Sequence, residues 1–170
     1  MAATVEIDEQ NGRSDSPTLT HNIANSNMGS ADSPNLDPTK APISPGQNTC
    51  EKWQLLHVTN MGTSTKISNL KVWRSGGLGT GAIHLTNAAT STTYAGAATY
   101  TTPTTALSPI ATHIMPISAP ATPNLGVSGT LTGSLVKSGY SDFLVHQIQT
   151  DKKALSGSTS FVNYEYDETV

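Results

Sequence analysis

The distribution of proline is the feature that most constrains the fold of this chain. Nine of the ten prolines fall in two stretches, four between residues 34 and 45 and five between residues 103 and 123. Because proline lacks an amide hydrogen and clashes with the preceding helical turn, these stretches exclude helices and interrupt any β-ladder. Elsewhere, no run of about 12 residues shows the 3.6-residue apolar period of a helix. The chain is therefore predicted to be all-β.

The composition supports this prediction. Charged residues make up 12% of the chain, about half of the usual quarter, and Leu, Glu, Lys and Arg, which favour long helices, are scarce. Thr, Ser, Asn and Gly are abundant instead, which is typical of short strands joined by turns. The formal net charge of -3 is too small for charge-driven disorder.

Charge and hydropathy also exclude several partners. The nine Lys and Arg residues are scattered, so no basic patch for nucleic acid is predicted. No apolar run approaches the roughly 18 residues of a membrane span. The acidic start MAATVEIDEQNG indicates no secretion signal. The single cysteine, Cys50, excludes an intrachain disulfide, and we expect it to pack as a small apolar side chain in a protein assembled in reducing cytosol.

Two parts of the chain differ in pattern. Residues 1–49 contain one short alternating stretch, TVEID, which is followed by a predicted QNG turn and then by Pro-, Asn- and Ser-rich sequence. Such a segment cannot offset its ordering entropy alone. We therefore predict an extended N-terminal arm held by neighbouring chains, the alternative being a loop packed on its own domain. A chain lacking this arm is expected to keep its β-structure.

Residues 50–170 are predicted to form an antiparallel β-sandwich or jelly roll of about seven or eight strands. Residues 104–123 are expected to form a long loop or a poorly paired edge strand. The predicted strands are CEKWQLLHVTN, TKISNLKVWR, GAIHLTN, TTYAGAATYTTP, GVSGTLTGSLVK, DFLVHQIQT and STSFVNYEYDE.

Residues 75–82, SGGLGTGA, have the glycine spacing of a dinucleotide-binding loop. That site requires a following helix, whose N-terminal amides hold the pyrophosphate. The next residues, IHLTNAATSTT, have no helical face. A glycine-rich hairpin is therefore favoured, and no cofactor is predicted.

The histidines do not predict a metal site. None of the five pairs at a ligand spacing with another histidine or with an acidic residue along the chain. Three of them are predicted to lie in mid-strand, where they would have to converge in space to bind an ion, and a surface or core role is favoured. No serine lies in a G-x-S-x-G motif. No catalytic residue is predicted.

The C-terminal stretch FVNYEYDETV places tyrosines and acids on alternate positions of a strand. Glu165 and Asp167 would share one face, and Val162, Tyr164 and Tyr166 the other. Two carboxylates on one face could act as general acid and base. A solvated acidic face opposite a packed apolar face is favoured.

The pieces EKWQLLHVTN, ISNLKVW, SGYSDFLVHQIQTDKKALSG and YDE follow in this order between Glu51 and Glu168, and TVEIDEQNG is a weaker fifth piece. Together they resemble a group of small tailed-phage virion proteins with EKW…L.V, ISNLK.(Y/W), GDF…LQ and C-terminal F.YDE motifs. Members with an assigned role look like capsid decoration or cement proteins on a β-sandwich or jelly roll. This chain has SDF in place of GDF and a longer Pro-rich N-terminal segment.

The resemblance implies a structural, non-enzymatic virion protein that binds the outside of the major capsid shell and stabilises it. The alternative is another phage component, such as a neck, tail or receptor-binding and carbohydrate-binding module. The implied partners are the major capsid protein and further copies of the chain, as a trimer or else a dimer. Arm anchors are expected at Val5, Ile7 and Ile43. Core or interface residues are expected at Trp53, Leu55, Val72, Phe143, Val145, Val162, Tyr164 and Tyr166.

Overall fold

A computed structural model describes residues 1–90, 94, 96–155 and 160–170. These residues contain ten strands and no helix. The strands are β1 (Thr4–Arg13), β2 (Ser16–Thr20), β3 (Lys52–Asn60), β4 (Lys66–Ser75), β5 (Ala82–Thr86), β6 (His113–Ile114), β7 (Ser134–Leu135), β8 (Gly139–Tyr140), β9 (Leu144–Thr150) and β10 (Phe161–Thr169).

The strands form two antiparallel sheets. The large sheet has the order β2-β1-β3-β9-β5-β6, and β8 pairs with the end of β3 beyond β9. The small sheet has the order β10-β4-β7. The predicted all-β class is confirmed, and two antiparallel sheets are what a β-sandwich requires.

Strand β3 runs through the middle of the large sheet and is buried on both faces. Leu56 and Val58 point towards the small sheet, where they pack with Ile67 and Val72 of β4 in the main core. Trp53 points the other way into a second apolar cluster with Val145 of β9 and Ala111, and Tyr100, Ile110 and Phe143 pack around it. This second cluster explains why β3 has no solvated face.

A β-bulge interrupts the pairing between β4 and β10, the two longest strands of the small sheet. Lys71 is paired with Glu165 and Ser68 with Asp167, so β4 has one residue more than β10 between these pairs. Asn69 takes up the extra residue with φ of 55°, and its amide donates to Asp167 Oδ2 at 2.6 Å. An Asn tolerates this left-handed conformation better than most residues.

The chain reverses two residues later than the predicted QNG turn. Strand β1 continues to Arg13, and Ser14 and Asp15 form the two-residue connection to β2. Gly12 instead has φ of 91° within the ladder, and its amide donates to Asp32 Oδ2 at 2.7 Å. The glycine therefore serves a side-chain contact and not the hairpin turn.

Two further predictions about strands were wrong, and a third lies partly outside the described residues. The glycine-rich 76–81 segment is not a hairpin, because β4 before it and β5 after it belong to different sheets. In TTYAGAATYTTP, Thr92, Thr93 and Ala95 lie outside the described residues, and the described ones form no strand. GVSGTLTGSLVK contributes only the two-residue β7, because its glycines and polar residues form turns.

The N-terminal segment contributes directly to the large sheet. Strand β1 pairs with β3 from Thr4↔Asn60 to Gln10↔Trp53, and β2 extends the sheet beyond it. Residues 21–49 contain no strand of either sheet, and Asn48 forms a single bridge to Gln149. The division at residue 49 remains a prediction about independent folding.

Candidate functional site

Two carboxylates and two histidines converge on the outer face of the large sheet, the face turned away from the small sheet. Glu6 and Asp8 lie two residues apart on β1, so both side chains leave the same face. His57 on β3 is directly opposite Glu6, and His21 follows the end of β2. We call these four residues the histidine–carboxylate cluster.

The cluster centres on one carboxylate oxygen. Asp8 Oδ2 lies 2.6 Å from His21 Nδ1 and 2.9 Å from His57 Nδ1. Glu6 Oε1 lies 3.1 Å from His57 Nδ1 and 3.8 Å from His21 Nδ1. Since a carboxylate oxygen can only accept, His21 donates its Nδ1–H to Asp8 Oδ2 and His57 donates its Nδ1–H to Glu6 Oε1.

The surroundings hold these side chains in place. Asp8 is fully buried, and its second oxygen accepts the Asn22 amide at 3.0 Å. The His57 ring stacks on Tyr140 of β8 with centroids 4.1 Å apart. His21 is the member most open to solvent, with 56% of its side chain exposed, against 20% for Glu6 and 16% for His57. Asp8 and His57 are therefore held in fixed positions, and solvent reaches the cluster mainly at His21.

Analysis of the sequence missed this cluster. Its members are not at ligand spacing along the chain, and only the β1–β3 register brings Glu6 to His57. The alternation in TVEID was a usable signal, since it predicts Glu6 and Asp8 on the face opposite Val5 and Ile7. The position of His21 depends on the β1–β2 turn at Ser14 and Asp15, whereas the sequence predicts that turn at QNG, residues 10–12.

A second polar group is buried on the inner face. Lys52 Nζ lies 2.7 Å from Glu9 Oε1 and 2.6 Å from the Ser33 carbonyl oxygen. Glu9 also accepts from Gln54 Nε2 at 3.1 Å and from Asn11 Nδ2 at 2.9 Å. Both charges are almost completely buried and every contact is internal, which indicates a structural role.

Two further histidines form a buried pair on the same inner face. His146 Nε2 lies 3.1 Å from Gln54 Oε1, so it carries the proton, and His146 Nδ1 must accept from His84 Nε2 at 2.8 Å. His84 Nδ1 then has no partner among the described residues. Burial lowers the pKa of His84 to about 4 and lowers that of His146 well below its usual value. Both rings are therefore neutral at pH 7.

The residues predicted for the core or an interface are placed as follows. Four are buried: Trp53, Leu55, Val72 and Val145. Six are partly buried against one of the two apolar clusters: Val5, Ile7, Phe143, Val162, Tyr164 and Tyr166. Ile43 is partly buried beside a groove that Pro42 and Pro45 also line.

The C-terminal carboxylates and Cys50, the reactive groups considered in the sequence, do not form a common site. Glu165 pairs with Lys71 at 2.8 Å, Asp167 accepts from Asn69, and Glu168 accepts from Ser64 and from the Ala3 amide. The three carboxylates thus contact separate partners. Cys50 is buried, and burial raises the pKa of its thiol to about 12, which keeps the sulfur protonated and unreactive.

Exposed apolar side chains gather at the β5–β6 edge of the large sheet. Ile114 of β6 is paired with Leu85, and Ile83 lies two residues away on the same face of β5. Leu107 and Ile83 line one open groove of about 550 Å³. Ile83, Leu107 and Ile114 are 49%, 72% and 73% exposed. We call these three residues the edge patch.

Comparison of the chain with protein-family models, with curated proteins and with solved structures gives no match. Within the described ranges, no helix is long and apolar enough to cross a bilayer.

Proposed function

We propose that this protein is a structural component of a tailed-phage virion, a capsid cement or decoration protein that binds the outside of the major capsid shell and stabilises it. The observation that carries the proposal is the edge patch, which supports a binding surface on one rim of the body. Ile83 shares one groove with Leu107 and one sheet face with Ile114, and grouped exposed aliphatic side chains are typical of a contact surface, whereas single exposed ones are not.

The composition of the surface is suited to binding another protein through broad contacts. The low content of charge, with a formal net charge of -3, favours broad apolar and polar contacts over ionic steering. Strand β6 has only two residues, so its edge offers little backbone for pairing and its side chains dominate the surface. Contact with a shell subunit is expected to bury about 800 Å² on each partner.

The N-terminal arm and the jelly-roll arrangement are structural parts of this proposal. Of the predicted arm of residues 1–49, β1 and β2 lie in the large sheet, and Asp32 and Ser33 hold the remainder on the body. We expect the exposed side of residues 21–49 to contact the shell surface. Ile43 and its neighbouring prolines would anchor this segment on a capsid subunit. A jelly-roll arrangement of the two sheets is part of the same proposal.

Strand β10 supports contacts between copies of the protein. It is nine residues long and pairs only with β4 among the described residues. Its other edge therefore offers unpaired backbone donors and acceptors to a neighbouring chain. A homotrimer around a capsid axis is expected, with a dimer as the second choice.

The test measures binding of the purified protein to emptied, expanded capsids. Ile114→Ser should weaken binding at least about tenfold, because a buried aliphatic contact contributes about 1.5–3 kcal/mol. Val136→Ser is the matched control, since Val136 is 69% exposed and lies between β7 and β8, outside the edge patch, and it should bind like the unaltered protein.

Bound copies per capsid should match a class of symmetry sites of the shell. Labelling found only at the tail would refute the proposal and favour the neck, tail or receptor-binding alternative. Equal binding by Ile114→Ser and Val136→Ser would show that the edge patch is not the contact.

A further inference from the structure

We propose that the histidine–carboxylate cluster is a binding site for one divalent transition-metal ion, with Zn²⁺ as the ion that its ligands fit best. The site is independent of the proposed capsid role. Its four ligand atoms come from three separate segments and lie within 4.8 Å of one another.

The distances fit a tetrahedral ion. Zn²⁺ binds histidine nitrogen and carboxylate oxygen at about 2.0–2.2 Å, which places neighbouring ligand atoms about 3.3 Å apart. The four nitrogen-to-oxygen distances of the cluster run from 2.6 to 3.8 Å. The longest belongs to His21, the exposed member, whose side chain has room to adjust.

The ligand set selects the class of ion. Imidazole nitrogen suits Zn²⁺ and its first-row neighbours, while Ca²⁺ and Mg²⁺ require oxygen ligands in larger number. Two carboxylates and two neutral imidazoles carry a charge of about -2, which a divalent ion neutralises. On binding, each imidazole moves its proton from Nδ1 to Nε2, so the hydrogen bonds from His21 to Asp8 and from His57 to Glu6 are replaced by bonds to the metal.

The contacts around the ligands favour metal binding. Asp8 keeps its second oxygen on the Asn22 amide, so Oδ2 remains directed at both histidines. The His57 ring is fixed by Tyr140. Outer contacts of this kind orient ligands and raise affinity.

An ion at this position would tie the N-terminal hairpin to the body. Glu6 and Asp8 lie on β1, His57 on β3, and His21 at the start of the segment that follows β2. A metal bound by the folded protein stabilises it in proportion to the logarithm of its concentration over Kd. Zinc at about 100 times Kd should raise the melting temperature by about 5–10 °C.

The experiment titrates tag-free, chelator-treated full-length protein with Zn²⁺ in a calorimeter and with Co²⁺ in a spectrophotometer. We expect one ion per chain, the intense visible absorption of tetrahedral Co²⁺, and its displacement by Zn²⁺. Melting temperatures are recorded with and without Zn²⁺.

His21→Ala is the test variant, because this exposed residue can be truncated without loss of the fold. It should weaken zinc affinity at least about tenfold and abolish the tetrahedral Co²⁺ spectrum. His113→Ala is the matched control, a histidine outside the cluster whose Nδ1 contacts the Ala88 carbonyl. No zinc binding, or an unchanged affinity in His21→Ala, would overturn the proposal.

Discussion

The buried ion pair between Lys52 and Glu9 is expected to decide the stability of the N-terminal half of the large sheet. The side chains are 1% and 0% exposed, and the Lys52 ammonium has two protein acceptors, Glu9 and the Ser33 carbonyl. Glu9→Gln keeps the shape of the side chain but leaves the ammonium buried without its counter-charge. Removing one partner of a buried pair costs about 3–5 kcal/mol.

For a chain of this length, that loss lowers the melting temperature by about 6–20 °C. Urea unfolding followed by circular dichroism measures the free energy of unfolding for Glu9→Gln, Lys52→Met and the double variant. Because the double variant leaves no unpaired charge, it should cost at least about 2 kcal/mol less than the sum of the single variants. Asp15→Asn is the control, since its ion pair with Arg13 is exposed and such pairs contribute little.

Single variants that cost less than about 1 kcal/mol, or costs that add, would refute this reasoning. The same contacts bear on the predicted arm. A chain starting at Cys50 lacks Glu9 and leaves the long β3 edge without β1. We therefore expect that truncated chain to lose most of its β-type circular dichroism, in contrast to the expectation from the sequence.

Three further outcomes are expected. The pKa of His84 is about 4 in the folded protein and about 6.5 in the unfolded chain, so the unfolded chain binds more protons between these pH values. The free energy of unfolding should therefore fall by up to about 3 kcal/mol as the pH drops from 6.5 to 4. In denaturant titrations, His84→Leu should reduce this dependence on pH. Trp53→Ala should cost about 3–5 kcal/mol in the same titrations, because the fully buried indole leaves a cavity. Cys50 should react with iodoacetamide only in denaturant, and labelling of the native protein at the same rate would contradict its burial.

The parts of the fold that follow from local pattern were predictable. Alternation along β10 places Val162, Tyr164 and Tyr166 on the core side, while Glu165 and Asp167 pair with polar side chains of β4. The proline-rich stretches correctly indicated segments outside the main strands.

The parts that depend on contacts between distant residues were not predictable. The glycine of QNG suggested a turn, but the partly buried Asp32 carboxylate accepts a hydrogen bond from its amide within the strand. The glycines of 76–81 suggested a hairpin, but the next strand crosses to the other sheet. The histidine–carboxylate cluster requires the register of β1 on β3, which no local pattern specifies.

The motifs that carry the resemblance to virion proteins contact one another in the fold. The piece EKWQLLHVTN lies opposite TVEIDEQNG in the sheet, from Trp53↔Gln10 to Asn60↔Thr4, and Glu9 neutralises Lys52. ISNLK lies opposite YDE, where the bulge at Asn69 is bound by Asp167. These residues are therefore constrained by each other and specify the body. The proposed metal site combines both kinds of residue, since Glu6, Asp8 and His57 lie within the motifs and the exposed His21 lies outside them. Ile114 of the edge patch is exposed and also lies outside the motifs, so we expect His21 and Ile114 to be the positions at which binding can change without loss of the fold.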